Sequence, residues 1–142
     1  MAAVFQIKKY FGPSLSEGAQ IAIDNKLYVD GWLLKKLYPK ISKIDNGRNM
    51  IIIMFRNSQP IALAVRVLNL IAAFCDEDYR RNGYCKKLVA ELSITAEDYS
   101  GRGIFASYMF YNSVGVKYLG SDAIDKFYKS MTHFESYGTL PK

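Results

Sequence analysis

Apolar and polar positions follow two rhythms along this chain, and each change of rhythm marks an element. Residues 4–10 are a short apolar run closed by Gly12 and Pro13, which predicts a first strand. Ser14 and Glu17 stand at capping-box spacing, where each side chain can take an orphan backbone N–H, so a helix is expected to about residue 27. Asp30 can cap a second, short helix that carries Trp32, Leu33 and Leu37 and is stopped by Pro39. Residues 41–48 read as a polar connection. Residues 50–55 and 61–67 are apolar and rich in β-branched side chains, and the segment RNSQP between them predicts a hairpin.

A third strand over residues 70–75 follows after only two residues. From Cys85 onward the apolar positions fall at Cys85, Leu88, Val89, Leu92 and Ala96, one face of a helix, which the segment SGRG at 100–103 breaks. Residues 104–110 predict a further strand, aromatic and buried, and residues 111–120 fit either a long loop or an irregular extension. Ser121 can cap a last helix with Ile124, Phe127, Tyr128 and Met131 on one stripe, and Asp122 suits its positive N-terminal end. Residues 134–137 read as a short final strand. There is no internal repeat and no low-complexity segment. The order β-α-α-β-β-β-α-β-α-(β) mixes a meander with crossovers, so a single α+β domain over residues 1–142 is expected, with a mixed central sheet flanked by helices.

Composition narrows the class. Half of the 142 residues are hydrophobic, which supports a buried core and argues against disorder. No apolar run approaches the ~20 residues of a membrane helix, and the start MAAVFQIKKYF shows no secretion signal. Cys75 and Cys85 lack CxxC or histidine spacing, so neither a zinc site nor a disulfide scaffold is expected. They read as small buried fillers in a reduced, cytoplasmic protein. The net charge of +6 implies a polyanionic partner, whether nucleic acid, a phosphorylated cofactor or an acidic protein. Ordinary solvated lysines account for most of that charge.

The stretch FCDEDYRRNGYCKKLVAEL, residues 74–92, concentrates the chemistry. A strand, a glycine-containing turn and a helix start make a geometry that binds phosphate, because the first-turn N–H groups have no intrahelical partner. Gly83 permits positive φ or close approach of an anion, and Arg80 and Arg81 add charge. Neither GxxxxGK[ST] nor GxGxxG is present, which removes the P-loop and the dinucleotide fingerprint.

What remains resembles the GNAT superfamily of N-acetyltransferases. Its signature [RQ]-x-x-G-x-[GA] is matched at Arg80 and Gly83, with Cys85 at the small position, and the lead-in through Tyr79 and Arg80 is similar as well. The segment AIDKFYKSMTHF, residues 123–134, resembles the family's A-x-x-F-Y-x-x-x-G-F helix and places its tyrosine at Tyr128. The element order is also that family's. Thr132 or His133 replaces the glycine, Ser121 stands about where many members have asparagine, and the C-terminus is expected to lack the usual last two strands.

The resemblance implies acetyl-CoA as co-substrate, lying where the fourth and fifth strands splay apart. Backbone N–H groups of Arg81, Gly83, Tyr84, Cys85 and Lys86, within the turn that includes Asn82, would hold the pyrophosphate, with the Arg80 side chain bracing the turn or touching phosphate. The backbone of Phe74 and Cys75, at a strand bulge, would pair with pantetheine and polarise the thioester; Ser121 would flank the cofactor. Tyr128 would be the general acid to the departing thiolate. No carboxylate stands at the strand position that some relatives use, which is Ile71 here. Asp76 or Glu77 could act as base through a water, or the acids at 76–78 could form a surface ion-pair patch with the arginines. The acceptor would be an amine on a small molecule, a protein or a nucleic-acid-linked group. A basic module binding nucleic acid without catalysis, and a CoA-binding protein without activity, are the alternatives.

Overall fold

A computed structural model describes residues 2–28, 33–101 and 105–141. Strands β1 (Phe5–Phe11), β2 (Met50–Arg56), β3 (Gln59–Val67) and β4 (Leu70–Cys75) form an antiparallel meander. Its last two turns are tight. Asn57 and Ser58, both at positive φ, link β2 to β3, the backbone that suits a two-residue hairpin. Leu68 turns the chain into β4, and its N–H donates to the buried Asn49 Oδ1 at 2.8 Å. Beyond β4 the sheet becomes parallel: β5 (Tyr99–Ser100) pairs with β4, and β6 (Lys117–Tyr118) with β5. The result is a six-stranded mixed sheet in sequential order.

Strands β2 and β3 are almost wholly apolar because both faces of the sheet are covered. Ile51, Ile53, Leu63 and Val65 pack under α1 (Leu15–Asp24), α2 (Leu33–Leu37) and α5 (Asp122–Tyr137). Ile52, Met54, Ala62, Ala64 and Ile71 pack against Leu88 and Val89 of α3 (Tyr84–Ala90) and Tyr111 of α4 (Phe105–Ser113). Among the described residues no helix is long and apolar enough to cross a membrane.

The α+β class with a mixed, helix-flanked sheet is therefore as expected, while several elements differ. The strand expected at 104–110 is helix α4 over its described part. The strand here is the two-residue β5 instead, and Gly101 after it lies so close to Gly120 that a Cβ there would clash with Gly120 O. Helix α4 then buries Tyr111 and exposes Met109, so one-sided packing overrides the β-preference of its aromatic residues. Residues 134–137 are the last turn of α5, closed by Gly138 in the left-handed region with its N–H on Phe134 O at 2.8 Å. The buried stripe of α5 is Ala123, Phe127 and Ser130; Ile124 and Tyr128 face solvent.

Two helix limits also move. Ser14 does not form the expected box with Glu17; its hydroxyl accepts from Phe11 N–H and donates to Phe11 O, both at 2.9 Å. Helix α3 stops at Ala90 instead of about residue 96 because the next carbonyls have a better partner. The Arg66 guanidinium, projecting from β3, donates to Leu92 O and Ser93 O and pairs with Asp98 Oδ2 at 2.6 Å. Asp30 and Trp32 lie outside the described residues.

Candidate functional site

The end of β4 sets the geometry. Asp76 N–H donates to Ile61 O of β3 at 2.8 Å, so strand alternation turns the backbone groups of Phe74 inward to β3 and those of Ile71, Ala73 and Cys75 outward. On that outer edge β5 pairs only at Leu70, opposite Tyr99. Past this point side chains take over: Ser100 Oγ donates to Ile71 O, Ala73 N–H donates to Tyr111 Oη at 3.1 Å, and Arg80 Nε donates to Cys75 O at 3.1 Å. Among the described residues no strand pairs with this edge beside Ala73–Cys75, and one of its amides is served by Tyr111. Of the two residues expected to meet a thioester, only Cys75 directs its N–H outward. The bulge expected at Phe74–Cys75 is absent from the β3–β4 register, and the register shift lies between Met54 and Phe55 in the β2–β3 pair.

The turn that follows is held by its own side chains. Asp76 Oδ1 accepts from Asp78 N–H at 3.1 Å and starts a 3-10 turn over Glu77–Tyr79. Asn82 Nδ2 donates to Tyr79 O at 2.9 Å and Arg80 O at 3.3 Å. Arg81 and Gly83 both take the left-handed conformation, at φ 69° and 75°. For arginine this is a strained backbone, and the Asn82 clip and Arg80 brace around it hold the strain in place. Among the described residues a Cβ on Gly83 would meet nothing within 4 Å. The first bond of α3 is Lys87 N–H to Gly83 O at 3.1 Å, which leaves the amides of Tyr84, Cys85 and Lys86 ahead of the helical ladder. Seven residues of helix make a weak dipole; the directed amides and the charges of Arg81, Lys86 and Lys87 are the stronger attraction for an anion.

The expected ion-pair patch is not formed: among the described residues Asp76, Glu77 and Asp78 make no salt bridge with Arg80 or Arg81. Asp76 is spent as a cap and Arg80 as a brace. Cys75 and Cys85 are half-buried free thiols rather than fully buried fillers. Hydrogen bonding from Cys85 holds the Cys75 thiol below its ordinary pKa against partial burial, with Arg80 acting in the same direction. The same interaction and burial push the Cys85 thiol up.

The structure therefore brings Cys75, Arg80, Asn82, Gly83, Tyr84 and Cys85 into one turn, with Arg81 and Lys86 exposed on its rim. Glu77 is exposed on the 3-10 turn, and Ser121 is exposed at the start of α5. Tyr128 is 41% exposed, its ring 6.4 Å from that of Phe127, on the helix that covers the opposite face of the sheet from α3. No contact among the described residues joins it to the turn. Sequence reasoning missed the roles of Tyr111 and Ser100, which come from the segment read as a loop or irregular extension and from the segment read as a helix break. It also missed Arg66, although a lone arginine inside the apolar run 61–67 signals a buried partner.

No protein-family model matches the chain, and no curated protein matches its sequence. Solved structures similar to it are N-acetyltransferases. The aminoglycoside N-acetyltransferase AAC(6')-Iy in complex with CoA is 13% identical over all of this chain and 91% of that one, with a TM-score of 0.44. The ribosomal-protein-S18-alanine N-acetyltransferase from Escherichia coli is 18% identical over 79% of this chain and 77% of that one, at 0.47. A GCN5-related N-acetyltransferase from Ralstonia eutropha JMP134 is 11% identical over 98% and 94%, at 0.40. These are similarities of outline, and the functional reading below stands on the residues of this chain.

Proposed function

We propose that this chain is an acetyl-CoA-dependent N-acetyltransferase of the GNAT type. One observation carries the reading: left-handed Gly83, with no described atom within 4 Å of a Cβ placed on it, presents the amides that precede the α3 ladder close to an outer edge of β4 on which no strand among the described residues pairs past Leu70. A diphosphate fits the amides of Arg81, Gly83, Tyr84, Cys85 and Lys86. A pantetheine arm has the peptide spacing needed to run along Ala73 and Cys75. The outward N–H of Cys75 would then donate to the thioester oxygen as it gains charge during attack.

In this reading the amine attacks while both substrates are bound, so proximity contributes much of the rate. The C–S bond breaks, the CoA thiolate takes a proton from Tyr128, and the amine proton leaves through water to Glu77. The acceptor is an amine on a small molecule or a protein. The test is a thermal-shift titration with acetyl-CoA and CoA: ligand at a hundred times its dissociation constant adds about 2.7 kcal/mol of stability. No shift at millimolar ligand overturns the reading. A shift that collapses steeply with salt points instead to nucleic-acid phosphate on the same turn. With an acceptor in hand, Tyr128→Phe is expected to lower turnover far more than CoA affinity, and equal turnover removes Tyr128 from the mechanism.

A further inference from the structure

The dipeptide Asn-Gly occurs twice in the chain, at Asn46–Gly47 and at Asn82–Gly83. A glycine after asparagine lets the backbone nitrogen approach the side-chain carbonyl carbon, because no Cβ stands in the way. The fold treats the two sites differently. At the first, Gly47 N–H donates to Asp45 Oδ1 at 2.9 Å, and Asn46 Oδ1 accepts from Arg48 N–H at 3.1 Å. Asp45 Oδ1 also accepts from the N–H of buried Asn49 at 3.3 Å, which ties the loop to the core. A carboxylate on Gly47 N–H favours the protonated nitrogen and opposes loss of its proton. At the second site Asn82 and Gly83 are both exposed, and Gly83 N–H meets no acceptor among the described residues. Arg80 and Arg81 precede it, and positive charge favours the deprotonated nitrogen. Among the described residues the Asn82 side chain is held through Nδ2, on Tyr79 O and Arg80 O.

We propose that Asn82–Gly83 is a self-modification site: the fold leaves this pair open to deamidation, which unfastens the phosphate turn, and bound CoA protects it. The modification stands on the contrast between the two sites; its effect on CoA rests on the acetyltransferase reading. The Gly83 nitrogen, its proton lost to hydroxide, bonds to Asn82 Cγ. The Cγ–Nδ2 bond breaks, and the amide nitrogen takes a proton from water and leaves as ammonia. Water then opens the cyclic imide at either carbonyl, so position 82 becomes aspartate or isoaspartate. One water is consumed and one ammonia released. The new carboxylate has no proton to give Tyr79 O or Arg80 O, so the clip around left-handed Arg81 is lost. Its charge also repels a diphosphate on the neighbouring amides. Gly83 N–H is itself one of the amides assigned to that diphosphate, so a bound ligand occupies the nitrogen that must attack.

The experiment ages the full-length chain at mildly alkaline pH, with and without acetyl-CoA, beside a urea-denatured sample. Peptide mass spectrometry follows conversion at Asn82 and Asn46, and calorimetry reads acetyl-CoA binding by the aged protein. In the native chain Asn82 is expected to convert about tenfold faster than Asn46 or more, while in urea the two convert alike. Acetyl-CoA at a hundred times its dissociation constant should slow Asn82 about a hundredfold, the fall in the unliganded fraction. The aged protein and Asn82→Asp should both bind acetyl-CoA about tenfold more weakly. Equal conversion of the two sites in the native chain, or the same lead for Asn82 in urea, overturns the proposal. Conversion that leaves affinity unchanged overturns its effect on the turn, and conversion that tightly bound acetyl-CoA does not slow overturns the protection. If the fresh chain binds no acetyl-CoA, the acetyltransferase reading is what fails, and the ranking of Asn82 over Asn46 alone decides the modification site.

Discussion

Replacing Gly83 by alanine separates what the turn costs the fold from what it gives a ligand. The backbone sits at φ 75°, where a Cβ is disfavoured by roughly 1–2 kcal/mol. Among the described residues no atom lies within 4 Å of that Cβ, so torsion rather than a clash sets the penalty. At the lower figure, a fall in Tm of about 3 °C is expected for a chain of this size. The new methyl group projects into the space before the amides of Tyr84, Cys85 and Lys86. A diphosphate held back by one carbon loses charge-assisted hydrogen bonds worth about 1.5–3 kcal/mol each, or a tenfold to hundredfold rise in Kd. Differential scanning fluorimetry with and without acetyl-CoA measures both quantities in one series. Gly83→Asn is the control, because asparagine tolerates the left-handed region. It should recover most of the lost Tm while its ligand shift stays as reduced as in the alanine variant. A Gly83→Ala protein with the wild-type ligand shift would refute the assignment of this turn to phosphate.

Other expectations follow from the packing. Asp98, fully buried, accepts from Arg66 at 2.6 Å and from Thr95 N–H at 2.8 Å, so Asp98→Ala strands a buried guanidinium and should cost about 3–5 kcal/mol by urea denaturation. Replacing Arg66 and Asp98 together by apolar residues should cost less than Asp98→Ala alone. Gly101→Ala forces a Cβ toward Gly120 O and should destabilise by roughly 1–3 kcal/mol, with the loss visible as a lower Tm. Burial pushes the Tyr99 hydroxyl up to about 12 from an ordinary 10.0, so its contribution is intact below pH 10 and drains away as the pH rises through 12. Tyr99→Phe should flatten that part of the alkaline stability curve, and an unchanged slope would remove Tyr99 as a source.

The meander was legible because its signals are local. Apolar β-branched runs separated by a few turn residues leave few alternatives, and residues 50–75 fold as they read. The turn at Arg80–Gly83 was legible for the same reason, since a glycine just before a helical apolar stripe suits a left-handed position at the helix start. What failed depended on distant partners. Residues 105–111 carry strand-like aromatics, but they form a helix whose Tyr111 is buried against the sheet. The end of α3 is set by Arg66 on another strand. Three acids beside two arginines suggested ion pairs, whereas the backbone claimed Asp76 and Arg80 first.

The Tyr111 hydroxyl resting on Ala73 N–H gives the open edge of β4 a tenant. Any extended ligand that wants that amide must evict the phenol, so it exchanges one hydrogen bond for another and gains little enthalpy there. Its arrival also requires a buried ring, stacked 6.3 Å from Tyr118, to shift on α4. On the acetyltransferase reading, loading of this edge would be a gated event, slower than simple diffusion allows, and Tyr111→Phe is expected to quicken it in stopped-flow binding of acetyl-CoA.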